Sequence, residues 1–198
     1  FNPDSNFTTS LPTPSVLRTF FLTLLFVAAC ADPLFSQYVP GQSYFGAHNY
    51  IEYRAGNARV IIAVPHGGPV QPSDIPDRAC TDCVTVRDAN TIELANALQQ
   101  EIQQTWGCQP HVIICHLHRR KLDANREIVE GAQGIPAAEQ AWNEYQDFIQ
   151  TAKDAILGDQ DRGLLIDLHG HGHTIQRLEL GYLLSGSQLR LTDAQLAA

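Results

Sequence analysis

The sequence predicts an α/β fold in which helices cover both faces of a mostly parallel or mixed sheet. Three short apolar runs, over residues 59–64, 111–115 and 163–168, are rich in β-branched and aliphatic side chains. Runs of this length and composition are typical of strands buried on both faces. Longer amphipathic segments lie between them, and strands that alternate with helices indicate this class. Ligands of such sheets bind beyond the carboxyl ends of the strands, so we expect function in the loops that follow the three runs.

The predicted elements begin and end at recognisable signals. The first strand, over 59–64, stops at Pro65, where proline and the glycines after it force a loop. Residues 88–91 open a helix whose apolar side chains recur at near-helical spacing until Gly107 closes it. A second amphipathic helix is predicted over 137–157.

The rest of the chain is less regular. Residues 32–58 are rich in Tyr, Gly, Asn and Pro, and we expect irregular structure with an edge strand. A fourth strand is predicted over 178–184. The chain has 198 residues, of which 44% are hydrophobic, which suits one α/β metallohydrolase domain over 32–198 after a leader over 1–31. Methionine is absent and the last residues carry no terminating signal, so we expect a fragment truncated at the C-terminus.

The net charge argues against one class of binding partner, and the composition of the leader predicts where the protein acts. The formal net charge is -8 and the only basic cluster is residues 119–121, which argues against nucleic-acid binding. Residues 20–29 form an apolar run behind Arg18, with small residues at 29–31, as in a signal peptide. The alternative is a buried core helix. The signal-peptide interpretation predicts a secreted protein with no membrane attachment once the signal is removed.

Removal of the signal peptide would take Cys30 with it and leave an even number of cysteines. These are Cys80, Cys83, Cys108 and Cys115. In an exported chain this number predicts two disulfide bonds of undetermined connectivity. A zinc ribbon built on the Cys80-x-x-Cys83 pair is the alternative, although the second pair has the wrong spacing for it.

Histidines follow two of the predicted strands. His66 and His169 each stand beside glycine at a strand end. Hydrolytic zinc usually takes three protein ligands and leaves one position for water, so these histidines predict a site for one zinc ion. Asp88 and Glu93, at the start of the next helix, are both candidates for the third ligand. Asp88 could instead be a helix N-cap, and spacing alone does not separate the two acids.

The segment after the third strand carries further candidates. His171 and His173 alternate with His169, so in an extended chain all three face one way. They predict either a second metal site, a pocket wall or surface histidines on a glycine-rich loop. Asp167 could orient a ligand histidine. Glu179 is the best candidate within this chain for a general base.

Arginines after the second strand suggest a small anionic substrate. Arg119, Asn125 and Arg126 lie in the polar loop there, and an arginine fork grips a carboxylate with two hydrogen bonds. The alternative is ordinary surface salt bridging of Arg126 with Asp123 or neighbouring glutamates.

Four short motifs in order resemble those of the N-formylglutamate amidohydrolase family. They are Pro65-His66-Gly67-Gly68, Asp88-x-x-Thr91, Arg119-x-x-x-Asp123-x-Asn125-Arg126 and Asp167-Leu168-His169. The resemblance covers residues 58–185, and the family is similar in fold to the zinc carboxypeptidases. It implies that His66, Asp88 and His169 bind zinc and that Arg119, Asn125 and Arg126 bind substrate. Enzymes of the family that act on formylglutamate usually carry serine where this chain has Gly67 and Gly170, which indicates a divergent secreted branch.

These observations predict a zinc-dependent amidohydrolase. It would cleave the C–N bond of a small N-acyl amino acid or a peptide-like anionic substrate, with Arg126 or Arg119 holding a carboxylate or the developing oxyanion. Glu179 would be the general base, unless the base lies beyond residue 198. The alternative is a non-catalytic metal-binding protein that retains the hydrolase fold.

Overall fold

A computed structural model describes residues 38–158, 162–175 and 177–181, together with the isolated residues 190, 192 and 195. The predicted signal peptide and the end of the predicted fourth strand lie outside the described residues. Residues 178–181, the described part of that fourth strand, do not form a strand. No helix among the residues described is long and apolar enough to cross a membrane.

The described chain forms a mixed sheet with helices, so the predicted α/β class is confirmed. The five strands are β1 (Ser43–Phe45), β2 (Ile51–Arg54), β3 (Val60–Val64), β4 (His111–Cys115) and β5 (Leu164–Asp167), in the order β1-β2-β4-β3-β5. Strand β3 lies between β4 and β5 and runs parallel to both. The segment before it adds β1 and β2 as an antiparallel pair on the far side of β4, which makes the sheet mixed.

Helices pack on both faces of this sheet. They are α1 (Thr91–Trp106), the short α2 (Ile128–Gly131) and α3 (Pro136–Leu157), and a 3₁₀ turn covers Ala47–Asn49. Successive strand residues face opposite sides, so Ile61 packs in the cluster that contains α3 and Ile62 in the cluster that contains α1. The amphipathic pattern of the two long helices therefore reflects one buried stripe on each.

The ends of the helices follow local chemistry. Gly107 ends α1 with a φ of 71°, a left-handed conformation that glycine adopts at little cost. Pro136 is the first residue of α3, where its missing N–H would have no helical partner anyway. At the start of α1 the N-cap is Asn90, not Asp88, so the side chain of Asp88 is available for another role.

The third strand differs from its prediction in burial. The sequence predicts a strand buried on both faces, as β3 and β4 are, but Leu164 and Leu165 in β5 are 56% and 41% exposed. The physical reason is position, since β5 pairs with β3 on one side and is the edge of the described sheet. Composition alone does not distinguish a central strand from an edge strand of the same parallel sheet.

The cysteines among the described residues form one disulfide bond rather than two. Cys80 and Cys83 are bonded to each other in the long loop after β3, which confirms a disulfide and removes the zinc-ribbon alternative for this pair. The second predicted disulfide is wrong, because Cys115 is a buried thiol at the end of β4. Its Sγ lies 3.8 Å from Leu117 O, and burial raises its pKa to about 12, so it behaves as a small core side chain.

Candidate metal centre

The loops that follow the three parallel strands meet at one edge of the sheet. His66 follows β3 and is 1% exposed, and His169 follows β5 at the mouth of the site. Asp88 lies two residues before the N-cap of α1 and is 9% exposed. These three residues, whose positions in the sequence span more than half the chain, are brought together as one group that could hold a metal ion.

Their donor atoms form a nearly equilateral triangle. The distance from His66 Nδ1 to His169 Nδ1 is 3.2 Å. Asp88 Oδ2 lies 3.5 Å from the first nitrogen and 3.4 Å from the second. A tetrahedral ion bound at about 2.0–2.1 Å holds its ligands about 3.3 Å apart, so this triangle fits one face of a tetrahedron and leaves a fourth position open.

A buried carboxylate sets the orientation of His66. The other ring nitrogen, Nε2, lies 2.6 Å from Asp123 Oδ1, so an Nε2–H donates to Asp123 and the lone pair of Nδ1 faces the centre of the triangle. Burial alone would raise the pKa of Asp123. The hydrogen bond and charge of His66, with the charge of Arg119, outweigh burial and lower it to about 2.

His169 repeats this arrangement at the surface. Its Nε2 lies 2.9 Å from Asp167 Oδ2 and its Nδ1 faces the triangle. The amide of Asn125 donates to the same Asp167 oxygen at 3.1 Å. Hydrogen bonds to Asp167 and Asp88 raise the pKa of His169 to about 9 against the opposing effect of burial. Both imidazoles are thus turned by a carboxylate so that Nδ1 is the inward atom.

Asp88 is fixed by its own backbone and by its neighbours. Its N–H donates to His66 O at 3.0 Å, and Gly170 N donates to its Oδ2 at 2.9 Å. Burial raises the pKa of Asp88, but hydrogen bonds from His169, His66 and Gly170 N outweigh it and hold the pKa well below its ordinary value. Glu93 lies exposed on α1 and is not part of the group. Between the two acids that the spacing left open, the geometry places Asp88 at the triangle.

Arg78 lies under the site, and no motif in the sequence points to it. It is 7% exposed, and its guanidinium lies 3.4 Å from Asp123 Oδ2 while Nε donates to Arg119 O at 3.0 Å. Burial lowers its pKa, and the carboxylate of Asp123 opposes that effect. Asp123 therefore carries a buried arginine on one oxygen and a histidine on the other, which fixes it in place behind His66.

Close packing explains the two glycines that stand where the resembling family has serine. A Cβ on Gly67 would lie 2.6 Å from Thr91 Oγ1 and 2.7 Å from a side-chain carbon of Ile92. A Cβ on Gly170 would press on Asp88 at 3.2 Å. The loop from β3 and the start of α1 therefore approach more closely than a serine would allow, and this approach brings Asp88 to His66.

The predicted substrate-binding residues fall into two groups. Arg119 is largely buried, and its guanidinium lies 3.0 Å from Asp123 and 3.4 Å from Asp88, so it contacts the carboxylates of the site. Arg126 is 53% exposed and makes a loose ion pair with Glu130 at 3.7 Å, the surface pairing that the sequence left open. Arg126 and Asn125 line an open cleft of about 460 Å³ with Trp142 and Gln146.

A buried tyrosine also lies beside the site. Tyr145 lies on α3, is 2% exposed, and its hydroxyl has no hydrogen-bond partner among the described residues. Burial raises its pKa well above the ordinary value. It lines a smaller recess beside Asn125 and Asp167. Its apolar neighbours on α3 made it look like an ordinary core residue in the sequence.

Glu179 lies in a different group. Its Oε1 lies 2.9 Å from His173 Nδ1 and accepts a hydrogen bond from Arg177 Nε at 2.7 Å. Those two hydrogen bonds lower the pKa of Glu179 to about 2. With His171 and His173 it forms a second, fully exposed group that could hold a metal ion. The structure thus places the predicted general base with these two histidines and not with His66, Asp88 and His169.

No protein-family model, curated protein or solved structure matches this chain.

Proposed function

We propose that this chain is a zinc-dependent amidohydrolase that cleaves the C–N bond of a small N-acyl amino acid or a peptide-like anionic substrate. The observation that carries the proposal is the triangle of His66 Nδ1, His169 Nδ1 and Asp88 Oδ2, with edges of 3.2 to 3.5 Å. The residues of the triangle are also those that the resemblance to the N-formylglutamate amidohydrolases, and through them to a zinc carboxypeptidase-like fold, implies as ligands.

The donor set favours zinc over the hard cations. Two imidazole nitrogens and one carboxylate oxygen suit zinc, whereas calcium and magnesium prefer sites made of oxygen. Catalytic zinc sites have three protein ligands and an open position, and the triangle offers the same number. The carboxylate behind each histidine bonds to the outward ring nitrogen and so fixes the tautomer of the ligand, as such a site requires.

Each residue of the site then has a part in hydrolysis. When bound, zinc would supply a water of near-neutral pKa and polarise the scissile carbonyl. Asp123 and Asp167 hold the two imidazoles with Nδ1 inward. Arg119, against Asp88 and Asp123, brings a positive charge beside the place where the carbonyl oxygen becomes negative. Arg126, exposed in the neighbouring cleft, would grip a substrate carboxylate.

The proposed general base lies apart from the triangle. Glu179 remains the prediction, but it is bound to His173 and Arg177 and its low pKa makes it a weak proton acceptor in this arrangement. The carboxylates described at the triangle, Asp88, Asp123 and Asp167, all accept hydrogen bonds from the histidines or from arginine or asparagine side chains.

Because these carboxylates are already engaged in hydrogen bonds, they favour a second candidate function. This is a metal-binding protein that retains the hydrolase fold without catalysis. The two candidates share the metal and differ in turnover. For both we place the protein outside the cytosol, which the apolar run over 20–29 and the Cys80–Cys83 disulfide support.

Metal analysis combined with a substrate panel separates the candidates. Purified protein dialysed against trace zinc should retain about one tightly bound ion per chain. It should hydrolyse N-formyl and N-acetyl derivatives of acidic amino acids, and His66→Ala should lose both the ion and the hydrolysis. A tightly bound ion without hydrolysis of any amide in the panel would leave the non-catalytic candidate. No bound ion would end both.

The substrate class is tested at Arg126. Arg126→Lys keeps the charge but loses the two-pronged grip, which is worth about 1.5–3 kcal/mol for a charge-assisted hydrogen bond, or roughly 10- to 150-fold in kcat/KM. Glu130→Gln is the matched variant, because it frees Arg126 from its ion pair and should improve capture of free acids. If wild type cleaves the methyl ester of a substrate as well as the free acid, Arg126 is not the carboxylate clamp.

A further inference from the structure

We propose that His171, His173 and Glu179 form a second metal site, separate from the triangle and weaker than it. The ion would be one that prefers imidazole, namely zinc, nickel or copper(II), rather than calcium or magnesium. The proposal does not depend on amide hydrolysis, because it concerns the binding of an ion and is tested by metal binding alone.

The three side chains converge without help from the first site. One donor atom from each lies within 4.8 Å of the others. The rings of His171 and His173 are 4.7 Å apart between centroids, and Glu179 Oε1 lies 2.9 Å from His173 Nδ1. An ion that bound there would need small side-chain movements, which exposed side chains on a loop make readily.

The local backbone permits those movements. Gly170 and Gly172 alternate with the histidines, and a Cβ built on Gly172 meets no atom within 4 Å. His171 is partly held by its backbone, since its Nε2 lies 2.8 Å from Arg177 O, so an Nε2–H donating there leaves Nδ1 as the donor to an ion. His173 N competes weakly for that nitrogen at 3.3 Å.

The same contacts explain why this site is weaker. In the triangle a buried carboxylate orients His66, whereas His173 bonds directly to Glu179, the residue that would be its fellow ligand. Arg177 also holds Glu179 Oε1 at 2.7 Å, so an ion must displace a positive charge before it binds. All three side chains are exposed, so water both completes the coordination of an ion and competes for it.

The experiment is a zinc titration of the whole protein against a chromophoric chelator, with metal analysis at saturation. Wild type should bind two ions of unequal affinity. The double variant His171→Ala/His173→Ala should lose the weaker ion and keep the tighter one. The variant His66→Ala/His169→Ala should do the reverse. Calcium at the same concentration should displace neither ion.

Two controls test whether the effect belongs to these histidines. His48→Ala removes an exposed histidine outside both groups, and Gly172→Ala alters the segment between the two ligands in open space. Both should keep two ions, and circular dichroism should show that every variant retains its fold. A stoichiometry of one in wild type, or two ions that survive in His171→Ala/His173→Ala, would overturn the proposal. Loss of the tighter ion in that variant would also overturn it, because the histidines would then belong to the first site.

Discussion

The two groups that could hold a metal ion contain the same types of donor atom but differ in burial and in the residues that orient those donors. Each has two histidines and one carboxylate, and both draw on the segment from His169 to Glu179. In the first group His66 and Asp88 are buried, and carboxylates behind the rings fix both imidazoles. In the second group every side chain is exposed, and the carboxylate beside His173 is itself one of the donors.

We infer from this difference that the supporting residues, more than the ligands, would make one metal site stronger than the other. Holding a histidine buried next to a carboxylate costs desolvation, and the fold recovers that cost only where further hydrogen bonds complete the network. Asp123 meets this condition with His66 on one oxygen and two arginines on the other. Variants that remove either a ligand or the residue behind it should therefore change the metal affinities of the two groups by different amounts.

The largest loss of metal affinity is expected when a buried ligand is removed. Zinc sites with four protein ligands bind with about 10–16 kcal/mol, so one ligand contributes about 2.5–4 kcal/mol. His66→Ala should weaken binding of the tighter ion by roughly 70- to 900-fold, as measured by chelator competition. His173→Ala is the exposed counterpart and should leave the tighter ion unchanged. Equal losses in the two variants would mean that burial makes no difference to affinity.

The next effect comes from the residue behind the ligand. Asp123→Asn keeps the shape but removes the charge that orients His66, and loss of such a partner costs about 10- to 100-fold in metal affinity. Chelator competition at fixed pH measures this. Asp167→Asn, behind the exposed His169, is the matched variant and should cost less, because solvent can replace its hydrogen bond. A larger loss of metal affinity in Asp167→Asn than in Asp123→Asn would contradict this expectation.

A histidine without an acidic partner shows what burial does by itself. His111 in β4 is 2% exposed and lies 2.8 Å from Tyr53 OH, and burial lowers its pKa from 6.5 to about 4. As pH falls, the unfolded chain takes up this proton first. The stabilisation is therefore complete above pH 6.5 and is lost between 6.5 and 4, which amounts to about 2 kcal/mol from pH 8 to pH 5.

Urea unfolding of His111→Asn measures this contribution. The variant should be less stable at neutral pH, but its free energy of unfolding should fall by less than that of wild type between pH 8 and pH 5. His48→Asn, at an exposed histidine, should keep the slope of wild type. If the free energy of unfolding changes with pH equally in wild type and in His111→Asn, burial does not lower the pKa of His111 in the folded protein.

The smallest effect is expected at the exposed carboxylate. Glu179→Gln removes the charge at the second group but leaves an oxygen donor, and exposed ion pairs contribute little. The weaker ion should therefore lose less than about 10-fold in affinity, read from the second phase of the same titration. A change in the affinity for the tighter ion would show that Glu179 reaches the triangle, which would support its assignment as general base.

The parts of the fold set by periodicity could be predicted from the sequence. The continuous apolar runs that became β3 and β4, and the helical stripe of α3, each reflect burial of neighbouring residues in the chain. His66 and His169 could be paired because both end parallel strands, whose carboxyl ends share one edge of a sheet. Local pattern and sheet topology together were enough for that pair.

Other features depended on contacts that no local pattern records. Arg78 looks like any loop arginine until the fold places it under Asp123. The sequence offers Asp123 as a surface partner of Arg126 and as one residue of a motif, but nothing in its neighbourhood points to a histidine 57 positions away. The choice between Asp88 and Glu93 depended on how closely α1 approaches the loop from β3, a distance set by Gly67.

The triangle also constrains when the site can exist. The contact between His66 and His169 joins residues 103 positions apart, and closing a flexible loop of that length costs about 4 kcal/mol of chain entropy. Contacts of such long range raise the contact order of a fold and slow its formation. An ion that recognises the assembled triangle has no binding site in a nascent or half-folded chain. Uptake of the ion should therefore follow folding, so metal content would report the fraction of molecules that have completed it.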